Sequence, residues 1–195
     1  MKIIFATRNE NKVREVNQIL GERIQLLSLQ SINSTEEIPE TQLTIKGNAL
    51  QKAQYIHDNY GVDCFAEDSG LEVDALDGAP GVHTAYYAGP ERDADANMQK
   101  TLNGLAGKTN RDAQFRTVVA LILKGKAYTF EGIARGTIAM QKMGEQGFGY
   151  DPIFVPDGET RSFAQMSAQE KNAISHRSKA IQQLKAFFDD YEDLG

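Results

Sequence analysis

A chain of 195 residues with 21 Lys and Arg against 27 Asp and Glu has a formal net charge of −6, so no whole-molecule field draws it to nucleic acid. At 41% hydrophobic and 25% charged it has an ordinary globular composition, and its length suits a single domain, residues 1–195, with room for two lobes. The lone Cys64 excludes an intrachain disulfide, and the apolar run Ile3-Ile4-Phe5-Ala6 is too short for a secretory h-region or a membrane span, which points to the cytoplasm.

Ile3 to Ala6 predicts a buried strand, and Val13, Val16, Ile19 and Leu20 at helical spacing predict a helix stopped by Gly21. Thr7 to Lys12 then lie over a helix N-terminus, where free N–H groups and the dipole favour anions. A second helix is expected from Ile45 to Asn59, with Ala49, Ala53 and Ile56 on one face and Gly61 as its end. Asp63 to Ala66 reads as a strand delivering Glu67-Asp68-Ser69-Gly70 at its end, where the Ser-Gly turn would expose Asp68. Asp77 to Gly81 reads as a turn, and Met98, Leu102 and Leu105 mark a third helix. Gln114 to Leu123 and Ala127 to Ile133 form a hairpin around Gly125-Lys126, followed by a strand at Ile153 to Val155. Ser167 with Glu170 fits a capping box, and Ala180, Ile181, Leu184, Phe187 and Phe188 give a final amphipathic helix. Helices interleaved with strands, plus a hairpin, predict an α/β fold with a mixed sheet.

Three groups of residues could carry chemistry. Glu40, Glu67 and Asp68 are carboxylates of the kind that Mg²⁺ takes, one or two at a time, with water and phosphate completing its shell. Such a carboxylate also deprotonates or orients an attacking water, a role that Asp68 suits, whereas Glu36 and Glu37 read as a solvated loop. Lys12, Lys52, Lys171, His176 and Arg177 could screen a polyphosphate and contact a base, although Lys52 taken alone reads more readily as a surface solubiliser than as a ligand. Phe148-Gly149-Tyr150-Asp151 between Gly147 and Pro152 reads either as a stacking platform for a planar ligand or as a tight turn into the next strand. There is no Gly-x-x-x-x-Gly-Lys-Ser/Thr run and no dinucleotide fingerprint. Cys64 and His83 read as packing residues, and His57 as solvated.

Ala6-Thr7-x-Asn9-x-x-Lys12, Glu40-Thr41, Asn48-Ala49-x-x-Lys52-Ala53, Glu67-Asp68-Ser69-Gly70-Leu71, Gly78-Ala79-Pro80-Gly81, Phe148 to Pro152 and Ser175-His176-Arg177 follow one another in order. This series, from Ile3 to the last helix, resembles the inosine/xanthosine triphosphate pyrophosphatase family. The resemblance implies a two-lobed α/β fold, with an elongated mixed sheet flanked by helices and a nucleotide cleft between the lobes. It implies a homodimer that hydrolyses ITP, dITP and XTP with Mg²⁺ to the monophosphate and pyrophosphate, without nucleic-acid or membrane partners. By position, Asp68 resembles the family's proton acceptor and metal carboxylate, and Glu40 a second metal ligand. Thr7, Arg8, Asn9, Glu10, Asn11 and Lys12 resemble its phosphate-binding turn. Lys52, Ser69, Phe148, Gly149, Tyr150, Asp151, Lys171, His176 and Arg177 resemble further substrate contacts. Arg8 stands where a small residue is frequent, Glu67 where Asp is frequent, and His83 and Tyr86 where Tyr and Arg are usual. A pyrimidine nucleotide pyrophosphatase of related fold and a nucleotide-binding module without hydrolysis are the competing readings.

Overall fold

The computed structural model describes residues 2–21 and 24–193. Its elements in chain order are β1 (Lys2–Phe5), α1 (Glu10–Leu20), β2 (Gln25–Leu27), α2 (Ile45–Tyr60), β3 (Cys64–Val73), α3 (Ala94–Gly104), β4 (Asp112–Leu123), β5 (Lys126–Ile138), β6 (Phe154–Pro156), α4 (Ala168–Ile174) and α5 (His176–Asp193), with short 3-10 turns between some of them. The strands form one mixed sheet in the order β2-β1-β3-β4-β5-β6. β1 pairs parallel with β2 and β3, while β5 and β6 are antiparallel. The α/β class and the mixed sheet flanked by helices are as the sequence predicts. No helix among the described residues is long and apolar enough to cross a membrane.

Local chemistry explains most element ends. Asn9 caps α1 by accepting from the N–H groups of Asn11 and Lys12, and Gly21 ends the helix at φ 68°. Thr44 caps α2, and Gly61 closes it in the left-handed region at φ 62°. β4 and β5 are joined by Lys124-Gly125, both at positive φ, a two-residue hairpin turn one position earlier than the sequence predicts.

The chain divides into two compact units. The first comprises 1–68, 117–132 and 177–195; the second comprises 69–116 and 133–176. In the first unit, Ile3 and Phe5 of β1, Val16 and Leu20 of α1, Phe65 of β3, Val119 and Leu121 of β4, and Ile181, Leu184 and Phe188 of α5 make one apolar core. In the second, Leu71 and Val73 of β3 pack with Met98, Phe115, Ile138, Phe154 and Phe163.

β3 corrects one expectation. Glu67 to Gly70 do not follow the strand; they lie inside it, and Asp68 is 9% exposed rather than displayed on a turn. Ser69-Gly70 has the composition of a turn, but β3 runs on past Cys64 and Phe65, where it pairs with β1, and stays in the sheet beside β4. The apolar residues Leu71 and Val73 carry the strand onward into a buried core.

Candidate active site

In the first unit, charged side chains that are usually left in water are buried together. β3 places Glu67 with no side-chain exposure, and its carboxylate accepts from Lys12 Nζ at 3.1 Å and from Arg177 Nε at 3.0 Å. The Arg177 side chain, 3% exposed, also donates through Nη1 to Glu15 of α1. Burial pushes the Glu67 carboxyl up, but Arg177 and Lys12 overcome that and hold it at about 2. Burial pulls the Lys12 ammonium below its usual value against the pull of Glu67, and Lys52 and Arg177 add to the lowering.

Next to Glu67 in the chain, Asp68 accepts from Lys52 Nζ at 3.1 Å, and the same ammonium pairs with Glu40. Burial disfavours the Lys52 charge, yet Asp68 and Glu40 together raise its pKa. Burial raises that of Asp68, Lys52 and Lys12 oppose the rise, and Glu40 adds to it. A buried carboxylate shifted upward is a better proton acceptor than an ordinary surface Asp.

The turn before α1 is already internally satisfied. Thr7 Oγ1 accepts from Asn9 N–H at 3.2 Å, and Asn9 Oδ1 accepts from Asn11 N–H at 3.0 Å and Lys12 N–H at 3.3 Å. These main-chain donors are thus held by side-chain oxygens. Glu10 is exposed in the first helical turn, where its charge complements the dipole. Arg8 turns away from this cap, donating through Nη2 to the carbonyls of Ser34 at 3.2 Å and Glu36 at 2.7 Å.

The second unit holds a different group. Lys171 Nζ, on α4 behind the Ser167–Glu170 capping box, donates to Asp151 Oδ2 at 2.7 Å, with both side chains nearly buried. Asp151 Oδ2 also accepts from Phe148 N–H at 2.8 Å, and the ammonium lies 4.9 Å from the centre of the Phe148 ring. Gly147 makes this possible: a Cβ there would meet Asp151 Oδ2 at 2.1 Å. Gly149 sits at φ 63°, a conformation that suits glycine. Tyr150 is in the core and its hydroxyl donates to the Thr84 carbonyl at 2.9 Å. His176 is 4% exposed and stacks on Phe115 with ring centres 4.5 Å apart. Ser69 follows Asp68 on β3 and is half-buried, so the two side chains leave opposite faces of the strand.

Thus Lys12, Lys52, Glu40, Asp68 and Arg177 come together in the first unit, and Phe148, Asp151 and Lys171 in the second. Glu15 has no counterpart among the sequence-derived candidates. The one signal in the sequence is its place three residues after Lys12 on the same helix face; the structure then shows it only partly exposed. Cys64, read as core, is buried with its thiol pushed up to about 12, and donates to the Ala53 carbonyl. His57 is half-buried rather than fully solvated, with Nδ1 2.9 Å from the Val62 carbonyl.

The residues fit a magnesium ion. Glu40 and Asp68 bring two carboxylates to a single cationic point, now held by the Lys52 ammonium. Among the described residues no group of three or more His, Cys, Asp or Glu is placed to hold a metal ion. Two hard oxygen ligands, with the rest of the shell left to water and phosphate, are what Mg²⁺ commonly uses.

Comparison with known proteins agrees with the fold and names relatives. A dITP/XTP pyrophosphatase of Flavobacterium johnsoniae is 53% identical over 184 residues, covering 94% of this chain and 96% of that protein. One from Bacillus subtilis is 43% identical, covering 93% of each. The Ham1 protein structure from Staphylococcus aureus superimposes with a TM-score of 0.90 at 35% identity, over 98% of this chain and 100% of that one. The Ham1 family model matches residues 3–187, and the chain belongs to the Ham1 family.

Proposed function

We propose that this protein hydrolyses non-standard purine nucleoside triphosphates (dITP, ITP and XTP) to the monophosphate and pyrophosphate, cleansing the nucleotide pool. The observation that carries the reading is the convergence of Glu40 and Asp68 on one cationic point in a cluster that also contains Lys12. The names of the relatives, dITP/XTP pyrophosphatases, support the substrate class. Bound Mg²⁺, held by Glu40 and Asp68, supplies charge neutralisation and Lewis-acid polarisation of a phosphoryl group.

The protein's own residues do the rest. Thr7, Asn9, Glu10 and Asn11 form the turn whose main-chain N–H groups face the polyphosphate, and Lys12 and Lys52 offset its charge. Asp68 takes the proton of a water whose oxygen bonds to the α-phosphorus as the bond to the bridging oxygen breaks and pyrophosphate leaves. Phe148 supplies a stacking face carried by Gly149 and Tyr150, and Lys171 with Asp151 presents a donor beside an acceptor to the edge of the base. Hypoxanthine and xanthine carry a 6-oxo acceptor that a donor-only ammonium matches, whereas the 6-amino group of adenine leaves that donor unpaired. Ser69 and His176 lie nearby in the chain and complete the contact set. Arg177 serves through Glu67 and Glu15. The same reading puts the reaction in the cytoplasm with a homodimer as the working unit, which sedimentation at assay concentration checks.

Pyrophosphate release from a panel of nucleoside triphosphates, with and without Mg²⁺, tests the proposal. Sites that hydrogen-bond a substrate group reject its analogue by as much as about 10⁴-fold, so ITP, dITP and XTP should far outrun ATP. Release of orthophosphate instead of pyrophosphate, or full activity in excess chelator, would sink the reading.

A further inference from the structure

The segment that carries Glu40 has no backbone ladder to hold it. Residues 34–44 form neither helix nor strand. Backbone bonds tie their ends, from Ser34 N–H to the Leu29 carbonyl and from Asn48 N–H to the Thr44 carbonyl, and side chains from elsewhere in the first unit hold the stretch between. α2 supplies one side of the grip. Gln51 accepts from Thr41 N–H at 2.9 Å and donates to Thr41 Oγ1 at 2.8 Å, Asn48 Oδ1 accepts from Gln42 N–H at 2.9 Å, and the Tyr55 hydroxyl donates to Glu36 Oε2 at 2.5 Å. Arg8, just before the Asn9 cap of α1, supplies the other: its Nη2 holds the carbonyls of Ser34 and Glu36. Glu36 is therefore gripped at its carboxylate from α2 and at its carbonyl from the phosphate turn.

We propose that Arg8 is a positioning residue, not a phosphate ligand: by strapping Ser34 and Glu36 to the turn before α1, it fixes the segment that delivers Glu40 to Asp68 and so sets the affinity of that carboxylate pair for a divalent cation. This rests on the metal role given to Glu40 and Asp68 above. It has a sign that a simple charge effect does not. Removing a positive charge can by Coulomb's law only tighten the binding of another cation, whereas removing a strap should loosen it.

Mn²⁺ binding to the nucleotide-free protein, followed by electron paramagnetic resonance, separates these cases for wild type, Arg8→Ala and Arg8→Lys. Outer groups that orient metal ligands typically change affinity by about 10-fold or more. Arg8→Ala should weaken Mn²⁺ binding by about that factor and raise the half-saturating Mg²⁺ for pyrophosphate release in step. The turnover at saturating Mg²⁺ should fall less than the metal affinity does. Arg8→Lys, which keeps the charge and can still reach a carbonyl, should recover part of the loss. Unchanged or tighter Mn²⁺ binding in Arg8→Ala overturns the proposal, as does a raised KM for ITP at every Mg²⁺ level with metal affinity intact, the signature of a phosphate ligand. A lowered melting temperature with the metal constants unmoved also overturns it, because the strap would then be merely structural. A wild type that binds Mn²⁺ but cleaves no nucleotide would remove the proposed function and leave the Arg8 comparison standing; a wild type that binds no Mn²⁺ removes the strap as well.

Discussion

The two units bury polar chemistry in opposite styles. The first gathers Lys12, Lys52 and Arg177 with Glu15, Glu40, Glu67 and Asp68, so that nearly every charge touches an opposite one. The second holds the buried ion pair Lys171–Asp151 beside the Phe148 ring, in a core of packed aromatics that includes Phe115, Phe154, Phe163 and His176. Neighbours in the chain show the contrast: His176 stacks on Phe115 in the second unit, while Arg177 pairs with Glu67 in the first. A dense, nearly neutral charge network suits a ligand that is itself highly charged and arrives with a metal ion. A single donor-acceptor pair by an aromatic face suits a planar heterocycle. If this division is functional, damage in the first unit should strike the chemical step or the metal, and damage in the second should strike the choice of base.

The largest effect is expected at Asp68. Asp68→Asn keeps the shape but loses the basicity and the negative charge toward the metal, and loss of a general base typically costs about 10²–10⁴-fold in rate. Steady-state kinetics with ITP at saturating Mg²⁺ should show that fall in kcat with the ratio of ITP to ATP turnover preserved. A selectivity change without a rate change would break the division at its strongest point.

Arg177 comes next, as a matter of stability. Removing one partner from a buried ion pair costs about 3–5 kcal/mol, and Arg177 is 2% exposed between Glu67 and Glu15. Arg177→Ala should lower the denaturation midpoint accordingly in urea, with the slope unchanged. Acid adds a second reading. Glu67 is held at about 2 against an ordinary 4.5, so its contribution is complete above 4.5 and is lost as pH falls toward 2. Without Arg177 the Glu67 pKa rises, and the acid-sensitive window of stability should move up with it. An Arg177→Ala protein as stable as wild type, with the same acid profile, would mean that the network is held by its surroundings rather than by its charges.

Much of the scaffold was legible before any coordinates. α1, α2, α3 and α5 follow apolar spacing, Asn9, Thr44 and Asp93 cap the first three, and Gly21 and Gly61 close α1 and α2; those signals are local. The α4 capping box at Ser167 and Glu170 was equally plain. β3 was not, because Ser69-Gly70 looks like a turn when only neighbours in sequence are considered, whereas the strand continues through it beside β4 into a buried core. β2, three residues long, has too few positions to show a period. Within the site, residue types and order exposed Lys12, Asp68 and Lys171. Who pairs with whom was hidden: the Arg177–Glu67 contact spans 110 positions and Arg177–Glu15 spans 162. Glu36, read as a solvated carboxylate, turns out to be the point where Arg8 and Tyr55 hold the loop.

The smallest of these effects, and the one that bears most directly on the second unit, is expected at Lys171. Its ammonium neutralises buried Asp151 and is the donor offered beside Phe148. Hydrogen bonds to charged groups contribute roughly 1.5–3 kcal/mol, so Lys171→Met should lower kcat/KM for ITP and XTP by about 10- to 100-fold. ATP, whose 6-amino group cannot use that donor, should lose less, and the ITP-to-ATP ratio should shrink. Phe148 N–H is a second donor to Asp151, but the variant leaves a buried carboxylate without its cation at a cost of about 3–5 kcal/mol. The denaturation midpoint is therefore measured beside the kinetics, and only a loss specific to the 6-oxo bases is assigned to the missing donor. The half-saturating Mg²⁺ should stay where it is, because Glu40, Lys52 and Asp68 all belong to the first unit. An equal loss for ITP and ATP would make Lys171 a structural brace for Asp151. A shifted Mg²⁺ requirement would show instead that the two units share their chemistry, and the contrast between them would be one of composition alone.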